Sequence, residues 1–217
     1  MKKIAVVLSG CGVYDGAEIH EATLSLLAIA RKGCSYEIFA PDIAQHHVIN
    51  HLNGEEMNET RNVLIESARI ARGAISELDS FDPKAFDGLL LPGGFGAAKN
   101  LSSWAFDGPQ ASVLPELEHA IKGMVALKKP VGALCISPVI LAKVLGEVSL
   151  TIGNDSATAE ALESLGATHV DTGHGDVVVD PDLNLVTTPC YMLDANILQI
   201  AEGAENVVDA MLRLMNE

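Results

Sequence analysis

Three times in this chain a short, wholly apolar run stops at a tight loop and a helical pattern follows, and that order leaves few folds open. Ile4 to Leu8 runs into Ser9-Gly10-Cys11-Gly12, Gly88 to Leu91 into Pro92-Gly93-Gly94-Phe95-Gly96, and Val131 to Leu134 into Cys135-Ile136-Ser137. Runs without polar alternation are strands covered on both faces, as in a parallel sheet sandwiched between helices. The first helix is signalled from Ala17 to Arg31 by Ile19, Ala22, Leu26 and Ala30. Tyr36 to Ala40, stopped by Pro41, completes a β-α-β opening.

Further along, the pattern predicts helices over about Asn58 to Arg72, Pro115 to Leu127, Ser137 to Leu145, Ala157 to Leu165 and Asp194 to Leu214. A strand is expected around Leu150, and a hairpin-like pair, Val177 to Val179 and Leu185 to Thr187, flanks Asp180-Pro181-Asp182. The chain has 217 residues and no visible linker, so it reads as one domain over 1–217, with a less regular insertion at about 42–80.

Charge and hydropathy exclude several functions. With 14 basic against 29 acidic residues and a formal charge of −15, the chain would repel a phosphate backbone, so no nucleic-acid partner is expected. No apolar stretch approaches the roughly 20 residues that cross a bilayer. The apolar run after the two N-terminal lysines is too short for a signal peptide, which gives a cytosolic expectation. Cys11, Cys34, Cys135 and Cys190 are scattered without a C-x-x-C pair and read as free thiols.

Ligands of an open parallel sheet gather at the C-terminal strand ends, where Ser9 to Asp15, Pro92 to Lys99 and Cys135 to Ser137 converge. Two readings of Cys135 stand side by side. It is either a small buried hydrophobe, or a thiol whose place before a helix favours the thiolate and attack on carbon. On the second reading the N–H groups of Ile136 and Gly94 are candidate oxyanion-hole donors. Cys11 competes from the first glycine loop. Glu18, read from its position alone, is a first-turn carboxylate complementing the helix dipole.

The elements Asp15-Gly16-Ala17-Glu18, Leu91-Pro92-Gly93-Gly94-Phe95-Gly96 and Ala133-Leu134-Cys135-Ile136-Ser137-Pro138 resemble, in that order, the pattern of the DJ-1/PfpI superfamily. Leu8 to Gly16, Glu18-Ile19-His20-Glu21 and Gly93 to Leu101 further resemble the ElbB/ES1 family over essentially the whole chain. The resemblance implies a flavodoxin-like three-layer α/β/α sandwich with a mainly parallel sheet, and a homodimer. It also implies a cofactor-independent, glutathione-independent glyoxalase activity of the hydro-lyase class on small dicarbonyls or aldehydes, with no metal. By the same resemblance Cys135 is the nucleophile and Glu18 hydrogen-bonds its sulfur. Cys11, Tyr14, His20, Gly93, Lys99 and Asn100 are candidate pocket residues.

One departure bears on mechanism. Many superfamily hydrolases carry a His directly after the cysteine, where this chain has Ile136, and Leu150 to Asp155 offers none either. His20 and, more loosely, His174 are the candidate bases. His47 and His51 are four apart but lack a carboxylate at ligand spacing. Three rivals remain open to test. A class I glutamine amidotransferase needs a late His-x-Glu pair that the chain lacks. A dinucleotide-binding dehydrogenase would use Gly10, Gly12 and Gly16 with Asp42, at a spacing that departs from the usual fingerprint. A redox-sensing protein would use an oxidisable Cys135.

Overall fold

The computed structural model describes residues 1–216. Its strands are β1 (Lys3–Val7), β2 (Ser35–Ala40), β3 (Ser76–Glu77), β4 (Gly88–Leu91), β5 (Val131–Leu134), β6 (Ser149–Leu150), β7 (Thr168–His169), β8 (Val178–Asp180) and β9 (Leu185–Thr188). Its helices are α1 (Ile19–Arg31), α2 (Val63–Ala71), α3 (Phe95–Lys99), α4 (Trp104–Asp107), α5 (Pro115–Ala126), α6 (Pro138–Leu145), α7 (Ser156–Glu163) and α8 (Ile197–Leu214). Seven strands form one sheet in the order β3-β2-β1-β4-β5-β9-β8, with every pair parallel except the antiparallel β8-β9 hairpin. β6 and β7 make a separate parallel pair.

Burial explains the apolar runs. Ile4, Val6, Leu8, Leu90 and Leu134 point into a core shared with α1 and α8, while Ala5, Val7, Leu89, Leu91, Val131 and Ala133 point into a core shared with α5 and α6. From Ile4 onward in β1, and throughout β4 and β5, the strands therefore feed two hydrophobic layers and carry no polar side chain. The result is the flavodoxin-like α/β sandwich. Gly132 faces α8, where a Cβ would meet Leu90 Cδ1 and Met211 Sδ at 2.6 Å each; the missing side chain lets the helix close onto the sheet.

Several boundaries differ from the sequence expectation for local reasons. The first helix starts at Ile19, not Ala17, because Glu18 is extended and caps it. The second starts at Val63 because Asn62 takes the N-cap and accepts the Ile65 N–H. α3 arises inside what reads as a glycine loop, since Gly94 occupies its N-cap. Ser76–Glu77 joins the sheet edge as β3.

The strand order reverses direction between β1 and β4, and this switch point lays the loops after those strands side by side. The Glu18 N–H donates to Gly93 O at 2.9 Å, and the Phe95 N–H to Val13 O at 2.8 Å, tying the two loops together. β5, the next strand, brings up Cys135.

Candidate functional site

Cys135 lies between β5 and α6 with φ of +61°, a left-handed conformation that costs a non-glycine residue energy and persists only where its surroundings enforce it. They do so through three hydrogen bonds. The Cys135 N–H donates to Thr188 O at 2.9 Å, the Ser137 N–H to Leu134 O at 3.0 Å, and the Ser137 hydroxyl to Pro92 O at 2.7 Å. Ser137 holds the N-cap position of α6 but makes no side-chain cap bond; its hydroxyl fastens the cysteine turn to the Pro92-Gly93-Gly94 loop instead.

That loop admits no side chains. A Cβ at Gly93 would fall on Cys135 Cβ and lie 2.5 Å from Glu21 Oε2. Gly94 has φ of +98°, and a Cβ there would collide with the Glu18 nitrogen and Gly16 oxygen. The close approach sets the Gly94 and Ile136 N–H groups against the Cys135 sulfur, where they favour its ionised form.

The carboxyl partner of that sulfur is Glu21, which corrects the expectation for Glu18. Glu18 Oε2 accepts the Glu21 N–H at 2.7 Å and so closes the first turn of α1. Glu21 is fully buried, accepts the Gly93 N–H at 2.9 Å through Oε2 and the Tyr191 N–H at 3.2 Å through Oε1, and stands with the Cys135 sulfur around the bare Cα of Gly93, where a Cβ would lie 2.5 Å from Oε2 and 2.9 Å from the sulfur. The sequence signal was there to find. Glu21 falls on the stripe with Ser25 and Ala28, the face that α1 buries, whereas a surface carboxylate would fall on the other side.

Burial first, then the neighbouring charge of Glu18, pushes the Glu21 carboxyl up to about 8. Burial, and secondarily Glu21, push the Cys135 thiol well above its ordinary value, and the two N–H donors offset this only in part. Burial and the neighbouring acid thus oppose the thiolate that the place before a helix was expected to favour.

Tyr191 is reached from β9 through Cys190, another non-glycine residue with positive φ, +43°. Its hydroxyl meets His20 Nδ1 at 2.8 Å. His20 therefore belongs to the site through Tyr191, a residue with no sequence signal. The buried Cys190 thiol is raised by burial, then by Glu21 and Cys135.

The other candidates serve the first loop. Asn100 is buried, donates to Ser9 O and Asp15 O at 2.9 Å each, and accepts the His46 N–H at 2.9 Å. Lys99 donates to Tyr14 O at 3.0 Å and lies over the Phe95 ring. The Tyr14 ring packs on His51, whose Nε2 accepts the Tyr14 N–H at 3.2 Å. Cys11 is half-buried, and its thiol is raised by burial and then by Glu66 of α2. Cys11 is therefore on the α2 side of the loop.

This loop is no phosphate cradle. The Gly10 N–H donates to Ser67 Oγ, the Gly12 N–H to Ala17 O and the Gly16 N–H to Gly12 O, so the backbone donors that would bind a pyrophosphate are taken. Among the described residues no three His, Cys, Asp or Glu side chains are grouped to hold a metal. Two surface hollows of about 450 and 540 Å³ are lined by residues around Tyr36 and Arg72 and around Asn154 and His169. Neither is lined by Cys135, which lies under its loops with 7 % of its surface exposed.

Comparison with known proteins bears on the family and the fold. The profile of the DJ-1/PfpI family matches residues 3–195. A rat protein named "ES1 protein homolog, mitochondrial" is 45 % identical over 98 % of this chain and 84 % of its own length. The crystal structure of an Ehrlichia chaffeensis isoprenoid biosynthesis protein with an amidotransferase-like domain superposes with a TM-score of 0.93 at 35 % identity, covering 99 % of each chain. The structure of glyoxalase III from Candida albicans shares the fold, with a TM-score of 0.61 and 16 % identity over 96 % of this chain and 97 % of that one. The cytosolic expectation is corrected here, because the rat protein and two further relatives bear mitochondrial names.

Proposed function

This chain belongs to the DJ-1/PfpI family, and from that premise we propose that it is a glyoxalase-like enzyme, converting small dicarbonyls to hydroxy acids through Cys135. The observation that carries the reading is the convergence of the Cys135 sulfur and the Glu21 carboxyl on Gly93, where a Cβ would lie 2.9 Å from the one and 2.5 Å from Oε2 of the other, with the N–H groups of Gly94 and Ile136 beside the sulfur. A buried carboxyl that titrates at about 8 holds a useful share of both its forms near neutral pH, which is what a group that must give and take protons requires.

The chemistry follows from those positions. The Cys135 sulfur attacks one aldehyde carbon of glyoxal. The S–H bond breaks, an S–C bond forms, and the thiol proton passes by way of Glu21 to the former carbonyl oxygen. Gly94 and Ile136 turn their N–H groups from the sulfur to that oxygen while it carries charge. Glu21 as carboxylate then takes the proton from the thiohemiacetal carbon and returns it to the adjacent carbon, while the hydroxyl proton of the first carbon passes to the oxygen of the second. The first carbon is oxidised to a thioester and the second reduced to an alcohol, so the redox change is internal to the substrate. Water cleaves the thioester, releasing glycolate and restoring the thiol.

Peroxide sensing works through an exposed thiolate, whereas Cys135 is buried beside a carboxyl that can take the thiol proton as the sulfur adds to a substrate. The test is glycolate formation from glyoxal by the purified protein, alongside Cys135→Ala. Turnover in the wild type and none in the variant is expected; equal rates in the two would remove Cys135 from the chemistry.

A further inference from the structure

Cleaving the thioester needs a base for water, and Glu21 is badly placed to be that base. It is fully buried, and each of its oxygens already accepts a backbone N–H. Water arrives from solvent, so the base must face solvent while remaining connected to the sulfur.

We infer that His20 is this base and that Tyr191 is its positioning residue. The inference rests on the glyoxalase reading above. Tyr191 spans the gap between the exposed and buried sides of the site. Its backbone N–H holds Glu21 Oε1 at 3.2 Å, and its hydroxyl holds His20 Nδ1 at 2.8 Å. The imidazole is exposed, and the two rings sit 5.9 Å apart with a 46° tilt. With Nδ1–H donating to the Tyr191 oxygen, Nε2 keeps its lone pair free to take a proton from water.

The backbone points the same way. β5 and β9 are parallel neighbours, and both lead at their C-terminal ends into non-glycine residues with positive φ, Cys135 and Cys190. Such strain clusters where a side chain must be held against its local preference. At Cys135 it presents the sulfur; at Cys190 it turns Tyr191 back across the start of α1. Burial and the carboxylates of Glu18 and Glu21 raise the Tyr191 phenol, which keeps its proton and stays a hydrogen-bonding group and not a base.

The reaction step is hydrolysis. His20 Nε2 takes a proton from water, the resulting hydroxide adds to the thioester carbon, and the C–S bond breaks. The sulfur leaves as thiolate and regains its proton from the acid product by way of Glu21, while the proton on His20 returns to solvent.

The experiment is rapid mixing of the full-length protein with glyoxal, followed by acid quenching, intact-mass analysis and a parallel glycolate assay. His20→Ala is expected to accumulate an adduct with the mass of one glyoxal on Cys135 while steady turnover falls about a hundredfold. Added imidazole should restore part of the turnover and discharge the adduct. Tyr191→Phe keeps the N–H to Glu21, so adduct formation should match wild type while glycolate release slows about tenfold. Wild-type turnover in His20→Ala with no trapped adduct overturns the inference, as does a loss that falls on adduct formation and leaves release unchanged. If the wild type forms neither adduct nor glycolate, the glyoxalase reading itself fails and takes this inference with it.

Discussion

Glu18 and Glu21 stand three residues apart at the start of α1, and the N–H of Glu21 donates to Oε2 of Glu18 at 2.7 Å. One carboxyl group thus ends the helix and the other enters the site, where it accepts from Gly93 and Tyr191 beside Cys135. The two carry different loads, and substitution separates them.

Glu21→Gln is expected to lower glycolate formation about a hundredfold or more, because an amide cannot carry the proton. Glu18→Ala should cost about 1 kcal/mol of stability through the lost cap and leave adduct formation on Cys135 largely intact. Steady-state kinetics and thermal melts on the two variants check this. A dead Glu18→Ala beside an active Glu21→Gln would reverse the assignment.

Glu21 also imposes a pH dependence on stability. Its carboxyl titrates at about 8 in the folded protein against 4.5 when unperturbed. Below pH 4.5 both states hold the proton and the group contributes no slope. Between 4.5 and about 8 the unfolded chain has lost the proton that the folded protein keeps, so stability falls as pH rises, by up to about 1.4 kcal/mol per pH unit. Above 8 the slope ends. Urea unfolding of wild type and Glu21→Gln at pH 5, 6.5 and 8 should show a difference that shrinks toward pH 8 in favour of the variant; parallel curves would contradict the raised carboxyl.

Asn100 tests the architecture of the first loop. Its amide binds Ser9 O, Asp15 O and the His46 N–H while buried. Asn100→Ala leaves those backbone groups without partners and is expected to destabilise the protein by about 3 kcal/mol. Differential scanning calorimetry measures it, and a shift within error of zero would mean that water replaces the amide.

The sheet was legible in the sequence because its strands are apolar on both faces, and the helices because their buried stripes are regular. Cys135, Gly93, Gly94 and Ile136 were legible for a related reason: each sits where a strand breaks, and the residue types at such breaks are dictated by backbone geometry. Glu21 was missed because a carboxylate in a first helical turn has an ordinary explanation, and the two acids differ only in which one the N-cap consumes. Tyr191 left no mark at all. Its place depends on β9 lying beside β5, a pairing between segments more than fifty residues apart. The burial of Cys135 beside Glu21, which opposes the thiolate, left no mark in the sequence because position before a helix is a local feature and burial a tertiary one.

That burial has a direct chemical consequence. Burial, and then Glu21, hold the Cys135 thiol well above 9.0, and burial raises Cys190 likewise. Alkylation proceeds through the thiolate, so accessible sulfurs with smaller shifts react first. Cys11 and Cys34 are each only partly buried. Iodoacetamide at pH 7 is therefore expected to label Cys34 and Cys11 ahead of Cys135 and Cys190, as peptide mapping would show. At pH 9 the Glu21 carboxyl is mainly ionised and its charge opposes ionisation of the sulfur beside it. Glu21→Gln removes that charge, so Cys135 should label faster in the variant than in the wild type at pH 9, with a smaller difference at pH 7. Preferential labelling of Cys135 in the wild type at pH 7 would show instead that the Gly94 and Ile136 N–H groups outweigh burial, and that the resting sulfur is already a thiolate.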